Sequence, residues 1–214
     1  RPKIEKFFSS ITKYCPYLLD FCLTIRSSNS FPHSSGIASS ASGMSALSLC
    51  IMSLEKELTE IDMNYMLQKA SFISRIGSGS ACRSIYGGIN FWGNHQETSK
   101  SSDFYSVRMD EHISSKFDNY RDTILIIDNQ AKEVSSSIGH KLMDNHPFSE
   151  IRFEQANQNI SKLKSILSIG DLNKFCDLVE KEALMLHSLM MSSDPSYILM
   201  KPETLIVITK IQKF

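Results

Sequence analysis

Three observations predict an α+β fold in two units. Short segments of alternating or continuous apolar character, at Phe21 to Ile25, Ile89 to Trp92, Tyr105 to Met109 and Thr123 to Ile127, read as strands. Between and after them, apolar residues recur at three- and four-residue steps, the period of an amphipathic helix. A polar stretch, Asp110 to Asn119, separates the two groups and places a boundary there.

Phe21, Leu23 and Ile25 alternate with Cys22, Thr24 and Arg26, which predicts a half-buried strand feeding the polar connection Arg26 to Ser30. A loop rich in serine and glycine, Ser30 to Gly43, then runs into Met44, Leu47, Ile51 and Leu54, which share one helical face. A helix therefore starts near Ser39 or Ser40. Its apolar character gives way at Glu55-Lys56-Glu57, and a second helix follows through Met63, Met66, Ala70 and Ile73, whose end delivers Gly77. The methionines of this region follow the helical face, as core filling does. Gly87-Gly88 leads into the strand Ile89 to Trp92, Asn94 to Asp103 reads as a loop, and Tyr105 to Met109 as a further short strand.

The second unit opens with the continuous apolar run Thr123 to Ile127, the mark of a buried strand. Helices follow at about 148–169, 171–191 and 203–214, punctuated by Gly170 and by Asp194-Pro195. Asp171 reads as an N-cap, and Ile160, Leu163, Ile166 and Leu167 form an apolar face. The chain holds no internal repeat and no low-complexity tract.

Composition narrows the function classes. The 214 residues are 42% hydrophobic, with 23 basic against 23 acidic side chains, enough for a sizeable core and no net charge to draw nucleic acid or anionic lipid. No apolar run approaches the roughly 18 residues of a membrane span, and no signal-peptide core follows Arg1. The expectation is a cytoplasmic protein with neither a nucleic-acid nor a membrane partner. Five cysteines without a C-x-x-C pair read as reduced thiols; Cys82 stands beside Arg83, which would lower its pKa, although packing is its default role. The six histidines show no ligand spacing, so no protein-held metal is expected; His33 reads as a partly exposed polar residue and His187 as a packing residue.

Two loops carry the chemistry. In the first, a polyphosphate set against Ser34 to Ser40 would meet the unpaired N–H groups and positive dipole end of the following helix, with Gly36 allowing close approach. A flexible turn with a serine N-cap accounts for the same residues. The Walker pattern G-x-x-x-x-G-K-S/T is absent. In the second loop, Gly77, Gly79, Ser78, Ser80 and Ala81 bring the main chain close to whatever lies opposite, and Arg83 adds a planar bidentate donor suited to carboxylate or phosphate. A surface ion pair beside a serine turn is the bland alternative for Arg83.

Together, P-H-S-S-G-I-A-S-S-A-S-G and the later G-S-G-S-A-C-R-S-x-x-G-G resemble the diphosphomevalonate decarboxylase family of the GHMP kinase superfamily. The resemblance continues through Lys132 to His140, similar to the family's V-S-S stretch, and through Arg152-Phe153-Glu154 and the helices beyond. It implies an N-terminal part (1–118) like the second domain of ribosomal protein S5, carrying the ATP phosphate loop, and a ferredoxin-like C-terminal part (119–214), both incomplete. It further implies ATP-dependent decarboxylation of mevalonate 5-diphosphate to isopentenyl diphosphate, with magnesium arriving on the nucleotide, and a homodimer. Carried over by motif, Ser34, Ser35, Gly36, Ser39 and Ser40 would surround the ATP phosphates, Ser40 nearest the transferred group. Arg83 would hold the substrate carboxylate, and Ser78, Ser80 and Ser135 or Ser136 its diphosphate. Two alternatives stand beside this: a related kinase that phosphorylates a mevalonate derivative without decarboxylating it, and a non-catalytic anion-binding fragment.

The family's opening N-I-A-x-x-K-Y-W-G-K motif and its F-x-x-D-A-G-x-N segment, which carries the essential aspartate, have no match between Arg1 and Phe214. An internal fragment of a longer enzyme is therefore expected, its general base outside this chain. Supplied with ATP, magnesium and mevalonate 5-diphosphate, the chain alone is expected to release no carbon dioxide over multiple turnovers. Sustained release would show that every essential group lies within these residues.

Overall fold

The computed structural model describes residues 2–31, 37–98, 100–128 and 142–213. The chain divides into two compact units, Arg1–Asp110 and Glu111–Phe214.

The first unit is built from α1 (Pro2–Ile11), α2 (Ser39–Leu58) and α3 (Met63–Gly77), with a hairpin of β1 (Asn90–Trp92) and β2 (Ser106–Arg108). Each helix contributes one stripe to a shared core: Phe7 and Ile11 from α1, Met44, Ile51 and Met52 from α2, Met66, Ala70 and Ile73 from α3. The predicted face of α2 holds, since Met44 and Ile51 are buried and Leu47 and Leu54 partly so. The helix starts at Ser39, as expected. Its N-cap, however, is Ala38 in the left-handed region at φ +59°, with no side-chain cap, so a capping serine does not account for the loop. By contrast, Asp62 caps α3 by accepting from Tyr65 N–H at 2.9 Å.

Gly77 ends α3 where three helices converge. A Cβ there would lie 2.6 Å from Met44 Sδ and 2.9 Å from the Phe7 ring, a spacing only glycine meets. Between α2 and α3 a largely buried ion pair closes the core, with Lys69 Nζ 2.7 Å from both Glu55 oxygens. Nearby, burial pushes the Cys15 thiol and the Tyr17 phenol above their ordinary values, so both stay protonated.

Two expected strands are absent. Residues 21–25 and 123–127 form no regular structure and make no ladder, and Leu23, Ile25, Leu125 and Ile126 are exposed. Alternation marks a segment able to pair; among the described residues nothing pairs with either. The described sheet is one antiparallel hairpin, Asn90 opposite Arg108 and Trp92 opposite Ser106. The described residues are thus mainly helical rather than evenly α+β.

The second unit contains α4 (Ser149–Ile169), α5 (Leu172–Met191) and α6 (Pro202–Ile211). Gly170, at φ +79°, turns the chain between α4 and α5, and a Cβ there would lie 2.4 Å from Ser114 Oγ. Asp171 caps α5, as expected, accepting from Lys174 N–H at 3.1 Å. The pairings Arg152 with Glu182 and His146 with Leu189 make α4 and α5 an antiparallel hairpin. His146 is buried: its Nδ1 accepts from Phe148 N–H at 3.2 Å while Nε2 lies 3.1 Å from the Leu189 carbonyl, tying the start of α4 to the end of α5. Ile166 and Leu167 are buried and His187 is half-buried within α5. Among the described residues no helix is long and apolar enough to cross a membrane.

Glu182 generates a pH prediction. Its burial acts to raise the carboxyl's pKa, but the hydrogen bonds from Arg152 and Asn159 and the Arg152 charge outweigh that and hold it below the ordinary range. A depressed folded pKa adds stability above the unfolded value, lost as pH falls through the folded one. Glu182→Gln should therefore cost about 1 kcal/mol at neutral pH, the carboxylate being partly solvated, and flatten the acid limb of the unfolding curve. Urea unfolding at several pH values reads both, and an acid limb identical to the parent's would refute the assignment.

Candidate anion-binding site

The two loops singled out in the sequence meet in the structure. The first delivers Ser39 and Ser40 to the first turn of α2; the second leaves the end of α3 at Ser78 and forms a 3₁₀ turn over Gly79–Ser84. Ser40 Oγ donates to Ser78 Oγ at 3.3 Å, and Lys3 Nζ of α1 donates to the same Ser40 oxygen. A hydroxyl pair, a lysine and the positive end of a 20-residue helix are thereby gathered at one place, a combination suited to phosphate oxygens.

A buried hydroxyl cluster holds the second loop against its scaffold. Ser71 of α3 and Ser106 of β2 are both fully buried, and both donate to the Cys82 carbonyl, at 3.0 and 2.6 Å. Ser106 N–H in turn donates to Ser71 Oγ at 2.9 Å. The carbonyl's two lone pairs and the strand's N–H are all satisfied within the cluster, as a buried polar group requires. On the far side of the turn, Asn90 Nδ2 donates toward the carbonyls of Arg83, Tyr86 and Gly88 at 3.0 to 3.2 Å. With Cys82 pinned from within and the Arg83 carbonyl from outside, the Arg83 side chain projects from a fixed backbone into solvent.

Cys82 is fully buried, and its Sγ donates to the Gly79 carbonyl at 3.1 Å. Burial pushes its thiol pKa up, and the Arg83 and Arg75 charges only partly offset this. Cys82 is therefore a packing residue, not an activated thiolate. All five cysteines are free.

Of the residues expected at the site, Ser39, Ser40, Ser78, Ser80 and Arg83 lie at the two loops, with Ser80 half-buried and Arg83 exposed. His33, Ser34, Ser35, Gly36, Ser135 and Ser136 lie outside the described residues. Lys3, Ser71, Ser106, Asn90 and Arg75 were not expected. Ser71 and Ser74 fall on the apolar stripe of α3 with Ala70 and Ile73, and small hydroxyls on such a stripe were the available signal for a polar contact inside the core. Nothing in the sequence links Lys3 to Ser40. Among the described residues no group of three or more His, Cys, Asp or Glu side chains is gathered to hold a metal ion.

Comparison with known proteins gives a consistent picture. Residues 1–103 match the diphosphomevalonate decarboxylase-like N-terminal domain. The chain is 32% identical over 197 residues to the diphosphomevalonate decarboxylase of Debaryomyces hansenii, covering 91% of this chain and 47% of that protein. It is similar over its whole length to the crystal structure of a mevalonate diphosphate decarboxylase from Legionella pneumophila, with TM-score 0.77 and 29% identity, covering 62% of that chain. It also shares the fold of the mevalonate diphosphate decarboxylase of Enterococcus faecalis, a structure concerned with mevalonate diphosphate mediated ATP binding. That match has TM-score 0.72 and 24% identity, and covers 99% of this chain and 60% of that one. The chain spans about half the length of the curated relatives it matches.

The hydroxyl cluster yields a prediction. Ser71→Ala removes one donor to Cys82 and leaves the buried Ser106 N–H without its acceptor, which should cost about 1–3 kcal/mol. Thermal unfolding of the purified chain measures it, and parent-like stability would mean that the cluster does not anchor the loop.

Proposed function

From a chain that resembles diphosphomevalonate decarboxylases through about nine-tenths of its length and carries their N-terminal domain at residues 1–103, we propose a site that binds ATP and mevalonate 5-diphosphate for ATP-dependent decarboxylation to isopentenyl diphosphate. The observation that carries this reading is the meeting of Ser40 and Ser78, which puts a nucleotide-type loop and an arginine-bearing loop within hydrogen-bond distance.

The chemistry divides between the loops. Phosphoryl transfer is governed by positioning and charge neutralisation, and Ser39, Ser40 and the start of α2 supply donors for the transferred phosphate, with Ser34, Ser35 and Gly36 of the same motif completing the cradle. Magnesium would come with the nucleotide phosphates and supply charge neutralisation there; among the described residues no group of three or more His, Cys, Asp or Glu side chains is gathered to hold it. Ser78, Ser80 and Ser135 or Ser136 hold the substrate diphosphate, and Arg83 holds its carboxylate. Once the tertiary hydroxyl carries the phosphoryl group, the electron pair of the C–COO⁻ bond becomes the new double bond. Phosphate leaves with the C–O pair, and carbon dioxide is released. Arg83 aligns the bond that breaks.

The domain assignment follows the same reading: 1–118 as the part that resembles the second domain of ribosomal protein S5, and 119–214 as part of the ferredoxin-like domain. A cytoplasmic homodimer is the matching cellular form.

Arg83→Ala should weaken mevalonate 5-diphosphate binding by about 1.5–3 kcal/mol while leaving ATP affinity largely intact, because its partner is a carboxylate and not the nucleotide. Calorimetric titration of each ligand into parent and variant separates the two. Equal weakening of both, or of neither, would overturn the assignment.

A further inference from the structure

The single tryptophan of the chain stands beside the second loop. Trp92 is the last residue of β1, half-buried, and its indole N–H donates to the Asp103 carbonyl at 3.0 Å, which fixes the ring. The ring is close enough to Gly79 that a Cβ there would lie 3.3 Å from Cη2, so ring and loop are packed together. Two guanidinium groups share this ring: Arg83 at 5.9 Å from its centroid and Arg75, of α3, at 5.8 Å. Arg75 also lies 5.8 Å from the Phe104 centroid. Its Nε is buried with no hydrogen-bond partner, and among the described residues neither arginine forms an ion pair.

Two positive charges held close to one ring without a carboxylate between them form an incomplete electrostatic arrangement. The negative faces of Trp92 and Phe104 offset part of the charge, but a π-face is a weak counter-ion compared with an anion. An aliphatic neighbour would let the long Arg83 side chain sample many rotamers; an aromatic one limits it to positions over the ring.

We infer that Trp92 is a positioning residue for Arg83, and that Phe104, Arg75, Trp92 and Arg83 form a cation–aromatic ladder that preorganises the loop for the carboxylate of the ligand. This deepens the reading of Arg83 given above and rests on it. The ladder carries two positive charges and no anion among the described residues, and the ligand carboxylate offsets one of them. Orientation is thus largely set before the ligand arrives.

The test uses the full chain and its only tryptophan as reporter. Without any ligand, Arg83→Ala should alter the Trp92 emission, because a cation is removed from its surroundings; unchanged emission would overturn the ladder. In calorimetry, Trp92→Leu should weaken mevalonate 5-diphosphate binding about tenfold and leave inorganic pyrophosphate, which has no carboxylate, unaffected. Trp92→Phe keeps an aromatic face and should recover most of the loss. A purely structural role would weaken both probes equally and would overturn the proposal, as would parent-like binding by Trp92→Leu. If the parent chain binds pyrophosphate but not mevalonate 5-diphosphate, the carboxylate assignment of Arg83 itself falls, and the ladder's purpose falls with it.

Discussion

Ser71 Oγ connects three elements through one atom: it lies in α3, donates to the carbonyl of Cys82 and accepts the N–H of Ser106. Everything described at the second loop depends on that junction. The junction is fully buried, so water cannot substitute for a missing partner, and each group in it is held by the cost of leaving the others unpaired. The loop therefore behaves as part of the core as far as Cys82, and as part of the surface from Arg83 onward. That division lets one turn be rigid in its backbone and still present a charged side chain to solvent.

The two units use different means to the same end. In the first, three helices close over methionine, isoleucine and small residues, and the largely buried pair of Glu55 and Lys69 sits between α2 and α3. Such a pair adds little net stability, but it penalises any packing of α2 on α3 that separates the charges. In the second, the hairpin of α4 and α5 has a sparser buried face and relies on polar ties. Arg152 and Asn159 converge on Glu182, and His146 bridges the hairpin's open end.

What the sequence made legible was local. The start of α2, the end of α3, the cap at Asp171 and the turn at Gly170 each depend on a few consecutive residues, and pattern reading found them. The strands at 21–25 and 123–127 failed for a non-local reason: alternation reports that a segment is able to pair, while pairing requires a second segment, and none of the described residues supplies it. Site residues divide the same way. Ser40, Ser78 and Arg83 were legible as members of contiguous motifs. Lys3, Ser71, Ser106 and Arg75 reach their roles across distances in the chain that no window spans.

Gly77 gives the second loop a dependence that its own residues do not reveal. The loop begins one residue after the point where Phe7 and Met44 close on the bare Cα of Gly77, so its origin is located by α1 and α2 as firmly as by the helix it extends. A side chain at that point would act as a wedge, and the rigid turn beyond would swing as a lever, carrying Arg83 with it. The placement of a surface charge is in this way transmitted from a phenylalanine in the first helix, and loss of volume at that ring is felt along the loop as far as Arg83.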